Sequence, residues 1–237
     1  MLIEKINSPA DLKKLSVKEL NALAEELRGE LIDVISKNGG HLSSNLGVVE
    51  LTVSLHFLFD SPADRILWDV GHQSYVHKLL TGRRERFGTL RQFGGLSGFP
   101  NPAESAHDAF VAGHSGNSVS AALGFAEEEA RRGSGRYTVA VVGDGSFTNG
   151  MIYEALNNCG NKNLRLIIVL NDNEMSISRN VGALMKHLGN IRANSHYREA
   201  REGLQAAMEQ GGPAARGLLG FGKNMKESLK QMVIPHT

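Results

Sequence analysis

VAVVGDG (139–145) and LIIVLNDN (166–173) each run from an apolar, β-branched stretch into a short polar turn, and a helix-like segment lies between them. Continuous apolar runs of this length suit strands buried on both faces of a parallel sheet covered by helices. The intervening crossover makes the pair a βαβ unit. Asp144 and Asn173 lie 173 − 144 = 29 positions apart, close to the roughly 30 residues such a unit needs. Both oxygen-bearing side chains are therefore expected at the carboxyl ends of neighbouring strands, the edge where open α/β sheets bind ligands. Magnesium takes only one or two protein ligands and draws the rest from phosphate and water, so a carboxylate and an amide suffice. Glycines on either side of Asp144 let a diphosphate approach the backbone closely. Each triplet alone is also ordinary turn composition, because Asp and Asn tolerate left-handed backbone and bond their own main chain. Their placement on one βαβ unit carries the reading of a metal and diphosphate site.

The 237 residues are 41% hydrophobic, ample for a sizeable core, and 26 Lys plus Arg offset 25 Asp plus Glu. That balance leaves no net field to recruit nucleic acid or an anionic membrane, and the cluster Arg83, Arg84, Arg86 reads as a solvated face, with phosphate contact the lesser alternative. The apolar runs are strand-sized and MLIEKINSPADL has no apolar signal core, so a cytoplasmic protein is expected. The single cysteine, Cys159, sits in a helix pattern without a metal-ligand neighbour and reads as a buried structural thiol.

Leu20, Leu23, Leu27, Leu31, Ile32 and Ile35 recur at helical spacing, predicting an amphipathic helix over 15–37 that stops at Gly39 and Gly40. HLSSNLG (41–47) reads as a polar loop, 48–59 as a second helix, and RILWDV (65–70) as a strand. RQFGGLSGFPNPAES (91–105) has no period and reads as a long loop, a feature usually functional in a folded domain. GHSGNS (113–118) opens a helix. Beyond about 189 the apolar signal thins. The expected organisation is a diphosphate-binding α/β domain over 1–188 and a poorly packed helical tail or linker over 189–237. Three strands fall short of the roughly five or six usual for such sheets, so the sheet is expected to be incomplete at its carboxyl-terminal end. There is no repeat, zinc spacing or dinucleotide fingerprint. GLLGFGKN (217–224) matches the glycines and lysine of a P-loop but has Asn224 where a hydroxyl belongs, and no strand precedes it. Of nine histidines, His72 and His114 are the glycine-flanked loop candidates, while His56 and His107 read as surface or satisfied-core residues.

HLSSNLGVVEL, WDVGHQSYVHKLLTGRR, GGLSGFP, GHSGNSVSAALG, GDGSFTNGMIYEALNN and LNDNEMSISRNVGAL together resemble the amino-terminal part of the 1-deoxy-D-xylulose 5-phosphate synthase family, thiamine diphosphate enzymes related to transketolase. The resemblance spans residues 34–184. It implies a thiamine diphosphate-binding fold and a transferase that condenses pyruvate with glyceraldehyde 3-phosphate, releasing carbon dioxide, in isoprenoid, thiamine and pyridoxal biosynthesis. It also implies that magnesium is bound by Asp144, the Asn173 amide and the Met175 carbonyl. Gly145 and Ser146 would meet the diphosphate, Gly113, His114 and Ser115 would line the cofactor, His72 would contact it, and His41 would lie near the reacting thiazolium. His41 and His72 are then candidates for proton transfer or for holding an anionic intermediate, because imidazole titrates near neutral pH. The family pattern GHSSTS reads GHSGNS here, which places Gly116 and Asn117 where two hydroxyl residues stand and bears on the helix cap. The family continues well past Thr237, through a pyrimidine-binding domain with its activating glutamate. The expectation is a homodimeric enzyme needing that domain in cis or in trans, with residues 1–237 inactive alone. The alternatives are a subunit of another transketolase-like enzyme and a non-catalytic remnant.

Overall fold

A computed structural model describes residues 1–160 and 162–171. Asn173, Met175, the P-loop-like stretch at 217–224, the expected tail over 189–237 and the expected boundary at 188 lie outside the described residues. The order of elements is α1 (Pro9–Leu12), α2 (Val17–Asn38), α3 (Leu42–Leu46), α4 (Val49–Leu58), β1 (Arg65–Trp68), α5 (Tyr75–Lys78), α6 (Ser118–Arg132), β2 (Thr138–Gly143), α7 (Gly150–Cys159) and β3 (Leu166–Asn171).

The two apolar runs that opened the analysis are β2 and β3, joined across α7. β1, β2 and β3 form a parallel sheet in that order. Trp68 pairs with Val141 and Gly143 with Asn171, so all three strands deliver their carboxyl ends to one edge. Side chains alternate across it with period two. Val139, Val141, Ile66 and Trp68 pack with Leu51 and Leu55 of α4. Ala140, Val142 and Leu67 pack with Val119 and Ala122 of α6 and Ile152 and Ala155 of α7. Helices therefore cover both faces, as the unbroken apolar runs predict. β2, flanked by both other strands, is buried almost throughout, whereas every residue of β3 is half-buried.

Helix α4 is also packed on its far side, where Val49 and Val53 join Leu23, Leu27 and Leu31 of α2. An apolar helix with no polar stripe has to be buried on two sides. α2 begins at a capping box: the Ser16 hydroxyl accepts from the Glu19 amide, and the Glu19 carboxylate accepts from the Ser16 amide at 2.8 Å. It ends at Gly39, whose φ of 74° stops the helix. Arg28 of α2 pairs with Glu50 of α4 where both are buried, tying the two helices together.

Four local expectations are corrected. HLSSNLG is not a loop: residues 42–46 form α3, because Asn45 turns its amide back onto the His41 carbonyl and stabilises the turn. The strand expected over 65–70 ends at Trp68, since Val70 and Gly71 adopt positive φ angles of 59° and 84°. Arg83 is not on a solvated face. It is 5% exposed, and its guanidinium grips both Asp108 oxygens at 2.6 and 2.8 Å, so the charge that read as solvated is neutralised inside. Cys159, at the end of α7, is half-buried rather than enclosed, and burial raises its thiol pKa, which opposes a nucleophilic role.

The long segment between Thr89 and Ser118 contains no helix or strand, and buried polar contacts hold it in place. His56 Nε2 lies 2.8 Å from His77 Nδ1, His77 Nε2 lies 2.8 Å from Asp108 Oδ1, and Lys78 Nζ lies 2.6 Å from Glu104. Burial holds the pKa of His56, His77 and His107 below the ordinary imidazole value, His107 at about 4. All three rings are thus neutral at pH 7 in the folded chain. In the unfolded chain they titrate near 6.5, so as the pH falls through that value the unfolded state takes up protons that the folded state refuses. Stability is expected to decline from about pH 6.5 towards pH 4, by about 1 kcal/mol per pH unit for each fully buried ring. Urea midpoints recorded from the fluorescence of Trp68, the only tryptophan, check this; midpoints flat between pH 7 and 5 would contradict it.

Candidate functional site

The end of β1 begins the site. After Asp69 the backbone reverses through Val70 and Gly71, and the Gly71 N–H donates to the Asp69 carbonyl at 2.6 Å. A Cβ on Gly71 would overlap Pro100 Cδ, so both the positive φ and the close approach require glycine. This turn delivers His72. The Asp69 carboxylate, 1% exposed, accepts hydrogen bonds from Gly116 N at 2.9 Å, Ser118 N at 3.2 Å and Ser118 Oγ at 2.5 Å. Asn117, the N-cap residue of α6, makes no capping bond through its side chain. The cap comes instead from a carboxylate on a neighbouring strand, well placed against the positive end of the helix.

That arrangement accounts for GHSGNS. Gly116 has a φ of 89°, and a Cβ there would overlap the Asn149 side chain. Asn149 Nδ2 donates to the Ser115 carbonyl at 3.2 Å while its Oδ1 accepts from Met151 N at 3.0 Å, capping α7. One side chain therefore joins the loop carrying Gly113, His114 and Ser115 to the turn that follows Asp144. These three loop residues are exposed, and the backbone at Gly113 and Gly145 is open, with no atom within 4 Å of a Cβ placed there.

Asp144 leaves β2 level with the end of β3, its N–H donating to the Asn171 carbonyl at 3.1 Å. It is 9% exposed, and its Oδ1 accepts from Gly145 N at 2.9 Å. Gly145 thus directs its amide to the carboxylate, and the half-buried Ser146 opens a short 3-10 turn over Ser146–Thr148. The register places Asp144 beside the strand that runs towards Asn173. Among the described residues no group of three or more His, Cys, Asp or Glu side chains is placed to hold a metal. Asp144 with amide, carbonyl and phosphate oxygens would make a hard set that suits magnesium.

His41 and His72 meet edge to face, with ring centroids 5.3 Å apart, and Phe99 stands 6.3 Å from His41. His41 Nδ1 lies 3.4 Å from the Tyr75 hydroxyl. Burial lowers the His41 pKa, assisted by the Arg91 charge; burial and then His41 lower that of His72, against the pull of Asp69. Both rings are neutral at pH 7. His72 Nδ1 is buried with no hydrogen-bond partner among the described residues. A buried unpartnered ring nitrogen, open backbone at two glycines and a carboxylate at the strand ends together fit an anionic organic ligand held with magnesium.

The structure thus brings His41 to His72, and the 113–118 loop to the 144–149 turn. Sequence reasoning missed Asp69, Asn149 and Asn45. Asp69 carried a weak signal, an acid directly after an apolar strand; Asn149 and Asn45 carried none, because their partners are distant in the chain.

A family model described as 1-deoxy-D-xylulose-5-phosphate synthase matches residues 3–237. The chain belongs to that family. It is 53% identical over 234 residues to the 1-deoxy-D-xylulose-5-phosphate synthase of Pelotomaculum thermopropionicum, covering 99% of this chain and 37% of that protein. It is 52% identical over 237 residues to the synthase of Cupriavidus metallidurans, covering 100% of this chain and 37% of the relative. The chain thus spans a little over a third of the length of these synthases. Transketolase from Leishmania mexicana superposes with a TM-score of 0.63 at 20% identity, over 74% of this chain and 31% of that one, and shares the fold. The parallel sheet with helices on both faces is therefore transketolase-like. No helix among the described residues is long and apolar enough to cross a membrane.

Proposed function

We propose that this chain forms the part of a 1-deoxy-D-xylulose 5-phosphate synthase that binds magnesium and the diphosphate of thiamine diphosphate. The observation that carries the proposal is the parallel register of β2 and β3, which sets Asp144 level with the strand leading to Asn173. Asp144, with the Asn173 amide and the Met175 carbonyl, would hold the metal. Gly145, Ser146, Gly113, His114 and Ser115 would meet the diphosphate and line the coenzyme, with Asp69 and Asn149 holding the loop against the turn. Thiamine diphosphate, when bound, supplies the electron sink for pyruvate decarboxylation and condensation with glyceraldehyde 3-phosphate.

His41 and His72, neutral at pH 7, would each present one ring N–H and one lone pair. The buried Nδ1 of His72 would accept or relay a proton, and His41 would donate to an anionic group at the reacting end. The pyrimidine-binding domain in the remaining length of the relatives would complete the site, within a cytoplasmic homodimer serving isoprenoid and thiamine biosynthesis. Calorimetric titration with thiamine diphosphate is expected to give a saturable signal with magnesium and none with EDTA. Absence of magnesium-dependent binding overturns the reading. Carbon dioxide release from pyruvate by residues 1–237 alone is expected to be negligible, and robust turnover would show that these residues suffice for the reaction.

A further inference from the structure

The geometry points to Asn45 as the positioning residue that holds the His41 and His72 rings against each other. Its side chain is fully buried, 0% exposed, in the five-residue helix α3. Nδ2 donates to the His41 carbonyl at 2.7 Å and to the His72 carbonyl at 2.8 Å. Oδ1 accepts from Tyr75 N at 2.9 Å. One planar amide therefore spends both of its protons on the main chains of the two histidines, and its oxygen on the residue whose hydroxyl faces His41 Nδ1 at 3.4 Å.

These partners come from separate parts of the fold. His41 precedes α3, while His72 and Tyr75 follow β1, with Asn45 and His72 27 positions apart in the chain. No main-chain ladder connects the two segments at this point, and Asn45 supplies the connection. Asn is a poor helix former, and a buried amide is tolerated only when its groups are paired. An apolar side chain of similar size would fill the space, remove the side-chain donor from the His72 carbonyl and leave the His41 carbonyl only the longer 3.4 Å bond from the Asn45 main-chain N–H. The chemistry of Asn45 is thus directed at the relative placement of His41 and His72. A lost carbonyl bond on either side frees its ring from the 5.3 Å edge-to-face contact.

The catalytic consequence rests on the proposed role of the two histidines, but the positioning itself can be measured without coenzyme. In the chain labelled with 15N-histidine, Asn45→Ala is expected to shift the His41 and His72 ring signals and move their titrations up towards the ordinary imidazole value. The signals of His56 and His77, held by their own network, should stay in place. Unchanged His41 and His72 signals in a folded variant overturn the proposal. Asn45→Ser, which keeps one short donor, should give a smaller shift in the same direction. If Asn45→Ala does not fold, the wild-type chain supplies the decision: slow solvent exchange of the Asn45 side-chain protons supports the clamp and rapid exchange overturns it. Magnesium-dependent thiamine diphosphate affinity should fall about 10-fold in Asn45→Ala, as for other residues that orient binding groups. Shifted histidine signals with unchanged coenzyme affinity would uphold the clamp and overturn the coenzyme role assigned to the two rings.

Discussion

Asp108→Ala is expected to destabilise the chain by about 3–5 kcal/mol, the range for removing one partner of a buried charge network. Asp108 is 2% exposed and receives both guanidinium nitrogens of Arg83, the His77 ring and the Asn101 amide, the last at 2.7 Å. Burial alone would raise its pKa, but the hydrogen bonds from His77 and Arg83 outweigh it and hold the carboxyl well below the usual carboxylate range. Without the carboxylate, Arg83 stays buried, and among the described residues Glu104, 3.5 Å away, is its remaining acidic partner, with the Thr81 hydroxyl accepting one hydrogen bond. His77 would also lose the acceptor that fixes its tautomer, and through it the bond to His56. A loss of this size is a large part of a typical domain stability of about 5–15 kcal/mol. Urea unfolding followed by Trp68 fluorescence is the measurement, because Trp68 lies 5.8 Å from His77, between ring centroids. A midpoint within error of wild type would show that the network holds nothing together. The carboxyl stays ionised throughout the pH 6.5–4 window, and because it bonds His77 directly, its loss and the acid effect on the histidines should couple rather than add.

Asp144→Ala should weaken magnesium-dependent thiamine diphosphate binding by about 100-fold or more, since even residues that only orient a metal ligand cost about 10–100-fold. The metal neutralises the diphosphate, and without the carboxylate the proposed protein ligands Asn173 and Met175 would offer it only neutral oxygens. Asp144→Asn keeps volume and a hydrogen-bond acceptor for Gly145 and should fail nearly as badly, which separates charge from shape. Calorimetry on both variants, with unfolding curves to show that the fold is retained, decides it. Near-wild-type affinity in a folded Asp144→Asn chain would remove Asp144 from the metal site.

The two predictions draw on different kinds of legibility. Asp144 could be read directly because its neighbours in sequence, an apolar run before it and a helix after it, place it at a strand end. Asp108 could not be read, because it sits in a segment without periodicity and its partners Arg83 and His77 lie 25 and 31 residues away. Arg83 shows the same blindness from the other side: three arginines close together look solvated until an acid arriving from the long loop buries one of them.

Period-two and period-3.6 patterning, capping residues and unbroken β-branched runs act over a few residues, so the chain alone determined α2, α4, the βαβ unit, the helix after GHSGNS and the sheet edge at which the strands end. Tertiary structure alone decided that Asp69 caps α6, that Asn149 fills the space above Gly116, and that Asn45 ties His41 to His72. Those bonds join residues whose separation along the chain carries no periodic signal, and only packing the elements together reveals which polar group each buried donor or acceptor meets.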